Sequence, residues 1–263
     1  MSDTGFYHRY GPWAVVLGAS DGTGEAFARA LADRGVRPVL VARRASLLQQ
    51  VADSLPVPSR VVVADLAAPD AAQRIDEATG DLDVGLVVYN AGANTADGDF
   101  LAADEDALLS MVDRNCSTVV RVALRFGARL VRRGAGGLVL VSSWGAWAGS
   151  AGIATYSATK AFDLLLAESL WAEWREHGVD VLALALTATD TPTLRRMLEE
   201  RGADLGELVA PEAVAAQALD HLADGPTWNL GAADPTGPAP FGDMRRRDAV
   251  ALLSSAHRSL FAE

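Results

Sequence analysis

Residues 13–42 read WAVVLGASDGTGEAFARALADRGVRPVLVA, and this stretch decides the fold. It opens with five apolar residues and continues through a turn with glycines at positions 18, 22 and 24. A helical segment at 24–34 and a second apolar run at 38–42 follow. Continuous apolar strands joined by a helix are typical of parallel strands that are buried on both faces of a sheet. The stretch therefore predicts a strand, helix, strand unit with a glycine-rich turn after its first strand.

The same alternation continues along the chain. Further strands are predicted at the apolar runs 60–64, 84–89, 137–143 and 179–186. Further helices are predicted at 46–54, 104–133, 155–177, 191–201, 211–223 and 245–261. Six strands alternating with helices before residue 190 predict an α/β fold, a single Rossmann-type doubly wound parallel β-sheet flanked by helices on both faces. No repeat or linker divides residues 1–263, so a single domain is expected.

Composition excludes several classes of protein. The 263 residues are 50% hydrophobic and 22% charged, as in ordinary globular proteins, and the net charge of −11 opposes nucleic-acid binding. The single cysteine, Cys116, cannot form an internal disulfide, and the four histidines lack metal-ligand spacing, so no metal is expected. No apolar run approaches the ~20 residues that span a bilayer, and no secretory leader is evident. A cytoplasmic protein without membrane contact is expected.

The turn after the first strand is a candidate phosphate-binding site. Its GxxxGxG spacing differs from the generic GxGxxG because Phe27 takes the third glycine position. Glycine allows a tight turn and a close approach of the backbone to a pyrophosphate, and the helix that follows offers free N–H groups. A plain structural turn is the alternative. The residues expected to bind the dinucleotide here are Gly18, Ser20, Asp21, Gly22, Thr23 and Gly24.

Arg43 and Arg44 follow the second strand, about 20 residues after the turn. An acidic residue in this place would bind the ribose 2′-hydroxyl of NAD(H), and none is present. Guanidinium groups suit a 2′-phosphate because their donors are planar and permanently charged. The sequence therefore favours NADP(H) over NAD(H), the alternative being arginines that only solvate the loop.

Four polar residues form a candidate catalytic set. The YSATK motif places Tyr156 and Lys160 one turn apart on the same helix face. A tyrosine ordinarily titrates near pH ~10, and an adjacent ammonium stabilises its phenolate, so that it can exchange a proton at neutral pH. Ser143, at the end of the fifth strand, could hold a carbonyl oxygen beside the phenol. Asn115 lies midway along a predicted helix, where an exposed helix position is the alternative.

Together these motifs resemble the classical short-chain dehydrogenase/reductase family over at least residues 13–192. The matching pieces in chain order are GASDGTG at 18–24, Asp65 and Leu66, YNAG at 89–92, Asn115, Ser143, YSATK at 156–160 and TDTP at 189–192. A weaker similarity to the branch of 3-ketoacyl-CoA reductases and 17β-hydroxysteroid dehydrogenases rests on the WAVVLGASDG opening and on YSATK.

The resemblance implies a role for each matching residue. Tyr156 would be the general acid/base, and Lys160 would lower the pKa of Tyr156 and bind the nicotinamide ribose. Ser143 would orient the substrate carbonyl, and Asn115 would hold a water in a proton relay that ends at Lys160. The remaining cofactor contacts would come from Asp65, Leu66, Asn90, Ala91, Gly92, Thr189 and Thr191, the last at the nicotinamide carboxamide.

Two departures from the family pattern concern the ends of strands. Leu17 stands where the family usually has threonine, and Leu186–Thr187 stand where it usually has Pro-Gly. Because proline fixes φ and glycine permits unusual backbone angles, the substrate-side loop is expected to run differently. A substrate lid is expected at about 188–210.

The expected substrate is a hydrophobic ketone or secondary alcohol, either 3-oxoacyl or steroid-like. Candidate pocket residues, for which ordinary core packing is the alternative, are Trp144, Trp147, Leu194, Met197 and Leu198. The helices predicted at 104–133 and 155–177 are apolar on more than one face, which predicts a homodimer or homotetramer. In the second of these helices the surplus apolar residues are Leu165, Leu166, Leu170 and Trp174.

The leading hypothesis is therefore an NADP(H)-dependent oxidoreductase that transfers a hydride between nicotinamide and a carbonyl or alcohol carbon. The alternative from another class is an NADP(H)-binding sensor or scaffold without turnover. Such a protein would be expected to lose Tyr156 or Lys160, and this chain retains both. Dehydration or epimerisation on the same fold is a third possibility, and it is usual in longer relatives.

Overall fold

The computed structural model describes residues 3–92, 94, 96–237 and 240–261. Its centre is one seven-stranded parallel sheet in the order β3-β2-β1-β4-β5-β6-β7. The strands are β1 Trp13–Leu17, β2 Arg37–Ala42, β3 Arg60–Val63, β4 Val84–Tyr89, β5 Gly136–Ser143, β6 Val179–Leu186 and β7 Thr227–Asn229. The order reverses between β1 and β4, and the crevice beyond such a reversal is where parallel sheets bind their ligands.

Helices cover both faces of this sheet. They are α1 Asp3–Tyr10, α2 Gly22–Asp33, α3 Ala45–Ser54, α4 Ala71–Ala78, α5 Glu105–Val112, α6 Thr118–Arg133, α7 Ala154–Trp174, α8 Pro192–Arg201, α9 Pro211–Asp220 and α10 Arg246–Phe261. A π-helical turn, Asp113–Ser117, joins α5 to α6. The predicted α/β fold class, a doubly wound parallel sheet flanked by helices on both faces, is confirmed.

Two separate hydrophobic cores explain why the strands are apolar throughout. Successive residues of a strand point to opposite faces, so Val16 packs in one core and Val15 in the other. Phe27 of α2 belongs to the first core, and Phe126 of α6 belongs to the second. Strand residues that point to either face of the sheet are therefore buried, as expected for a sheet that is covered on both sides.

The structure differs from the sequence-based expectation in the helix predicted at 104–133. That helix is interrupted at the π-helical turn, where one extra residue enters the ring of hydrogen bonds. Such a turn changes the direction of the side chains it contains. Here it turns Asn115 inward, where its side chain is fully buried rather than exposed.

Helices α1 and α4 and the strand β7 were not predicted as such. Tertiary contacts hold α1, and these are invisible in a local pattern. The carboxylate of Asp180 in β6 accepts hydrogen bonds from Arg9 Nε at 2.5 Å and from Tyr10 Oη at 2.6 Å. Arg133 Nη1 donates to the carbonyl oxygen of Arg9 at 2.8 Å. All these contacts lie at the amino ends of the strands.

Within the described part of the chain, none of the helices combines the length and the apolar character that crossing a membrane requires.

Candidate active site

The glycine-rich turn brings α2 unusually close to the end of β1. A Cβ atom on Gly24 would overlap the carbonyl oxygen of Gly18. Gly18 has φ +86°, a value that side chains disfavour, and its N–H donates to the carbonyl oxygen of Val41 at 2.7 Å. Asn90 Nδ2 donates to the Gly18 carbonyl at 3.3 Å, which ties the turn to the end of β4. Glycine is therefore needed at position 24 because there is no room for a side chain, and at position 18 because of the backbone conformation.

The amino end of α2 faces a cavity of about 510 Å³. Asp21 precedes the helix, and its side chain caps no N–H within the described structure. Asp21, Gly22 and Thr23 line the cavity, and a Cβ on Gly22 would lie 3.0 Å from Thr191 Cγ2 at the start of α8. The uncapped helix end and the glycine cradle fit the pyrophosphate of a dinucleotide.

Two arginines lie beyond β2, beside this turn. Arg44 Nη2 donates to Ser20 Oγ and to Asp21 Oδ2, both at 2.7 Å. Arg43 is exposed. Burial, with a further contribution from the charge of Arg43, lowers the pKa of Arg114. The group is therefore a positively charged edge next to the turn.

The other residues predicted for the adenosine end lie after neighbouring strands. Asp65 follows β3 and is exposed, and its Oδ1 accepts the N–H of Ala67 at 3.1 Å, whereas Leu66 is buried. Asn90 and Ala91 follow β4, and their N–H groups donate to the carbonyl oxygen of Leu17 at 3.1 and 3.0 Å. The carboxyl ends of β1, β2, β3 and β4 thus bring these residues to one edge of the sheet.

Ser143, Tyr156 and Lys160 all line the same cavity. Ser143 is the last residue of β5, and its Oγ accepts the N–H of Gly145 at 3.1 Å, which fixes the hydroxyl. Tyr156 and Lys160 lie on the first turns of α7, and Lys160 Nζ lies 6.0 Å from the centroid of the Tyr156 ring. A hydroxyl, a phenol and an ammonium group therefore converge on one space, as the sequence predicts.

Asn115 lies behind this group and joins two elements. Its Nδ2 donates a hydrogen bond at 3.0 Å to Oγ1 of Thr159, the residue of α7 that precedes Lys160. Its Oδ1 accepts a hydrogen bond from Arg114 Nε at 3.2 Å. A Cβ on Gly92 would lie 3.7 Å from Asn115 Oδ1 and would overlap Lys160 Nζ. Gly92 therefore leaves the space that the lysine side chain occupies.

Lys160 has a partner that sequence reasoning missed. Its Nζ donates to the carbonyl oxygen of Val141 at 2.8 Å and to Asp163 Oδ2 at 3.1 Å. Burial raises the pKa of Asp163 to about 6, although the charge of Lys160 acts in the opposite direction. The signal was present in the sequence, because a residue three positions after Lys160 lies on the same helix face.

Apolar side chains form much of the remaining cavity lining. Of the predicted pocket residues, Trp144, Leu194 and Met197 line it, whereas Trp147 and Leu198 lie outside the described lining. Trp147 packs against the core, and its Nε1 donates to Asn229 Oδ1 at 3.0 Å. Lining residues that the sequence did not indicate are Ile153, Thr193, Leu205, Leu253, Ala256 and His257.

The missed residues include Leu253, Ala256 and His257 of α10, which contribute to the cavity lining. Ser254 Oγ accepts the N–H of Ala151 at 3.0 Å, and His257 Nδ1 lies 2.9 Å from Ser150 Oγ. These bonds attach α10 to the segment that leads into α7. No local signal could show this, because the bonded residues are more than 100 positions apart in sequence.

Leu186, the last residue of β6, lines the cavity, as do Thr187, Ala188 and Thr189 of the segment that follows. Val209 fixes it, since its N–H donates to the Ala188 carbonyl at 3.0 Å and its carbonyl accepts the N–H of Asp190 at 2.8 Å. Thr191 then caps α8 by accepting the N–H of Leu194 at 3.2 Å. Thr189 and Thr191 therefore lie at the cavity, as the sequence predicts.

A family model described as short chain dehydrogenase matches residues 12–202. The chain belongs to this family. It is an oxidoreductase with a fold that binds a nicotinamide cofactor, and the resemblance inferred from its motifs is confirmed. Within the described residues, no group of three or more histidine, cysteine, aspartate or glutamate side chains could hold a metal ion.

Several known proteins are similar over most of the chain. A 7beta-hydroxysteroid dehydrogenase of Clostridium sardiniense is 30% identical over 252 residues, which cover 94% of this chain and 96% of the relative. A very-long-chain 3-oxoacyl-CoA reductase of Pyricularia oryzae is 32% identical over 183 residues, 66% of this chain and 55% of the relative. The structure of a Sphingobium yanoikuyae short-chain dehydrogenase in complex with NADPH has a TM-score of 0.76 at 26% identity, covering 96% of both chains.

Replacing Gly24 with alanine tests the close contact in the turn. The added Cβ would overlap backbone, which cannot rotate away, so Gly24→Ala should lower the free energy of unfolding by about 1–3 kcal/mol. It should also weaken NADPH binding at least about tenfold, equal to ~1.4 kcal/mol. Urea unfolding and fluorescence titration with NADPH measure the two effects. Gly149→Ala is the control, because a Cβ there meets nothing within 4 Å. Unchanged unfolding and binding in Gly24→Ala would contradict the assigned contact.

Proposed function

We propose that the protein is an NADP(H)-dependent oxidoreductase that transfers a hydride between nicotinamide and a hydrophobic ketone or secondary alcohol, with Tyr156 as the general acid/base. The observation that carries the proposal is the convergence of Ser143, Tyr156 and Lys160 on the cavity that also borders the glycine-rich turn. A sensor or scaffold that binds the cofactor without turnover would have no use for this set. It remains the alternative that the first assay must exclude.

The chain's own residues manage protons and orientation. The nicotinamide, when bound, supplies or accepts the hydride. Ser143 Oγ donates a hydrogen bond to the substrate oxygen, and Tyr156 donates its phenolic proton to that oxygen during reduction and removes it during oxidation. Lys160 stabilises the phenolate and binds the ribose of the cofactor. Asn115 holds the water that returns protons to Lys160, and its bond to Thr159 fixes its position relative to α7.

The proposed substrate is a bulky hydrophobic ketone, with a steroid-like skeleton preferred over a 3-oxoacyl chain. The cavity is about 510 Å³, within the range of ligand sites, and its apolar lining includes Trp144, Leu194, Met197 and Leu253. The relative that matches almost the whole chain carries the name of a hydroxysteroid dehydrogenase. We assign the lid role to residues 188–210, which include α8.

Tyr156→Phe tests the proposed reaction. Loss of the phenolic hydroxyl should reduce kcat for ketone reduction by about 10²–10⁴-fold, because the alkoxide loses its proton donor, whereas NADPH affinity should stay within about twofold. NADPH oxidation is measured against ketones graded from small and polar to steroid-sized and acyl-thioester. Tyr7→Phe, which removes a hydroxyl from α1, is the control. Turnover by Tyr156→Phe at the wild-type rate would refute the assigned acid. NADPH binding without turnover of any ketone by the wild type would favour the sensor hypothesis.

We propose that the enzyme prefers NADP(H) because Arg43 and Arg44 bind the 2′-phosphate. The support is their position beyond β2 and the bond from Arg44 to Ser20 of the turn, which places a guanidinium beside the cofactor cradle. Structures of similar fold hold NADPH in one case and NADH in another, so the proposal rests on the arginines. Asp21 already pairs with Arg44, whereas Arg43 forms no ion pair within the described part of the chain, so Arg43 is the sharper target.

Arg43→Ala should weaken NADPH binding about tenfold or more and change NADH binding by no more than about twofold, because only NADPH loses a charge-assisted contact. Fluorescence titration with both cofactors measures the two dissociation constants. Arg132→Ala, an exposed residue near the end of α6, removes the same charge far from the turn. Equal losses for NADPH and NADH would remove the 2′-phosphate role.

We also propose a homodimer or homotetramer. Leu109, Leu124 and Leu165 are 54%, 69% and 61% exposed on α5, α6 and α7, and burial of such side chains at a partner surface is favourable. The double variant Leu124→Glu with Leu165→Glu should therefore reduce the mass in solution, as measured by light scattering. Leu252→Glu, equally apolar and 48% exposed on α10, should leave the mass unchanged. A monomeric wild type would contradict this proposal.

A further inference from the structure

A second buried charge lies beside Lys160. Asp163 is one turn further along α7, only 2% of its surface is exposed, and its Oδ2 accepts from Lys160 Nζ at 3.1 Å. Its other oxygen, Oδ1, is buried and has no hydrogen-bond partner among the residues that the structure describes. A buried carboxylate with an unused oxygen is costly to fold. Its presence therefore calls for a function, and the proposed proton transfer at Tyr156 does not by itself use it.

The neighbouring ammonium group needs a counter-charge. Lys160 is 3% exposed, and a buried lysine without a counter-charge loses its proton at a lower pH than an exposed one. An ammonium has three N–H donors, and two of them bind the Val141 carbonyl and Asp163. Since Lys160 also lines the cavity, the third donor remains for a ligand there. Asp163 thus supplies the negative charge that makes this arrangement stable.

The other groups around Asp163 do not replace it. Tyr89 at the end of β4 and Cys116 in the π-helical turn interact electrostatically with Asp163, and burial raises the pKa of both, to about 11 for Cys116. Both are therefore neutral near pH 7. Arg114 in the same turn interacts with Tyr89. Strand β5 contributes the Val141 carbonyl and the Ser142 hydroxyl, which donates to the Lys160 carbonyl at 2.8 Å.

Two further elements that pack against α7, β6 and α5, carry ionisable residues. The ionisable residue of β6 is Asp180, which is bonded to Arg9 and Tyr10 at the opposite end of the strand. Glu105 and Asp106 of α5 are exposed. Arg114 is a further cation in these surroundings, but within the described residues it interacts with Tyr89, Arg43 and Asp65, whereas the charge that acts on Asp163 is that of Lys160.

We propose that Asp163 is a positioning residue whose carboxylate keeps Lys160 protonated and holds its Nζ at the cavity wall, and so sets the upper pH limit of ketone reduction. This inference rests on the roles proposed above for Tyr156 and Lys160. Asp163 touches neither substrate nor cofactor and acts through the lysine.

The sign of the effect follows from the charge. Ketone reduction requires a proton on Tyr156 and on Lys160, so the rate falls when either proton is lost at high pH. Removing the carboxylate that Lys160 contacts destabilises the ammonium group, so the lysine gives up its proton more easily. The alkaline limb of the pH profile should therefore move to lower pH without Asp163. Below about pH 6, where the wild-type carboxyl itself becomes protonated, wild type and variant should converge.

The test compares Asp163→Asn with the wild type from pH 6 to pH 10. The alkaline limb of kcat/KM for reduction should shift down by at least about one pH unit, and NADPH should bind with wild-type affinity near pH 6 but about tenfold more weakly at pH 9. Asp163→Glu, which keeps the charge, should restore the wild-type limb. Glu173→Gln removes one charge from the exposed side of α7 and should change neither profile. A lower rate with an unshifted limb, and NADPH binding parallel to the wild type at every pH, would overturn the inference.

A second measurement does not depend on whether Asp163→Asn folds. Carbon-13 NMR of aspartate-labelled protein without cofactor follows the Asp163 carboxyl directly. In Lys160→Met the carboxyl loses its counter-charge, so it should take up its proton at a higher pH than in the wild type. An unchanged titration would show that the two groups do not share a charge interaction. If Tyr156→Phe remains active, the proposed function itself fails, and this outcome is separate from the titration of Asp163.

Discussion

The structure depends on one contact, the approach of α2 to the end of β1, which leaves no room for a side chain at position 24. Because a Cβ there would overlap the Gly18 carbonyl oxygen, the helix can begin directly over the reversal in strand order. This places an uncapped helix end beside the carboxyl ends of β4 and β5, from which Asn90 and Ser143 come. The phosphate cradle and the candidate catalytic residues are thus fixed relative to each other by a backbone contact.

A second constraint acts from behind the cavity. The π-helical turn directs Asn115 to Thr159, the glycine at position 92 leaves space for Lys160, and Asp163 balances the charge of that lysine. The side chains of Asn115, Lys160 and Asp163 are all buried. Tyr156 therefore lies in front of a packed polar layer, in which the position of one side chain limits the next.

The sequence predicted β1 to β6 to within about one residue because buried parallel strands are continuous apolar runs, and it missed β7, which has only three residues. It also predicted the meeting of Ser143, Tyr156 and Lys160, since the carboxyl ends of parallel strands share one edge. It failed where long-range contacts decide. The interruption at Asp113–Ser117, the attachment of α10 through Ser254, and the turning of Trp147 toward Asn229 each depend on partners distant in sequence. The spacing of Lys160 and Asp163 was visible in the sequence, but the sequence could not show that both side chains are buried, which is why each needs the other's charge.

The hydrogen-bond network around Asp180 stabilises the fold at a distance from the cavity. Arg9, Tyr10 and Arg133 hold α1 at the amino ends of the strands, while β6 carries the chain from Asp180 to Leu186, roughly 20 Å away at the cavity. The contacts that anchor α1 and the residues that line the cavity therefore lie at opposite ends of the strands. Residues around the cavity, in the loops and in α10, can change during evolution while the contacts that anchor α1 stay the same. Most such changes lower the free energy of unfolding, and the anchoring contacts help the fold to tolerate them. Directed evolution of the cavity lining has the same freedom.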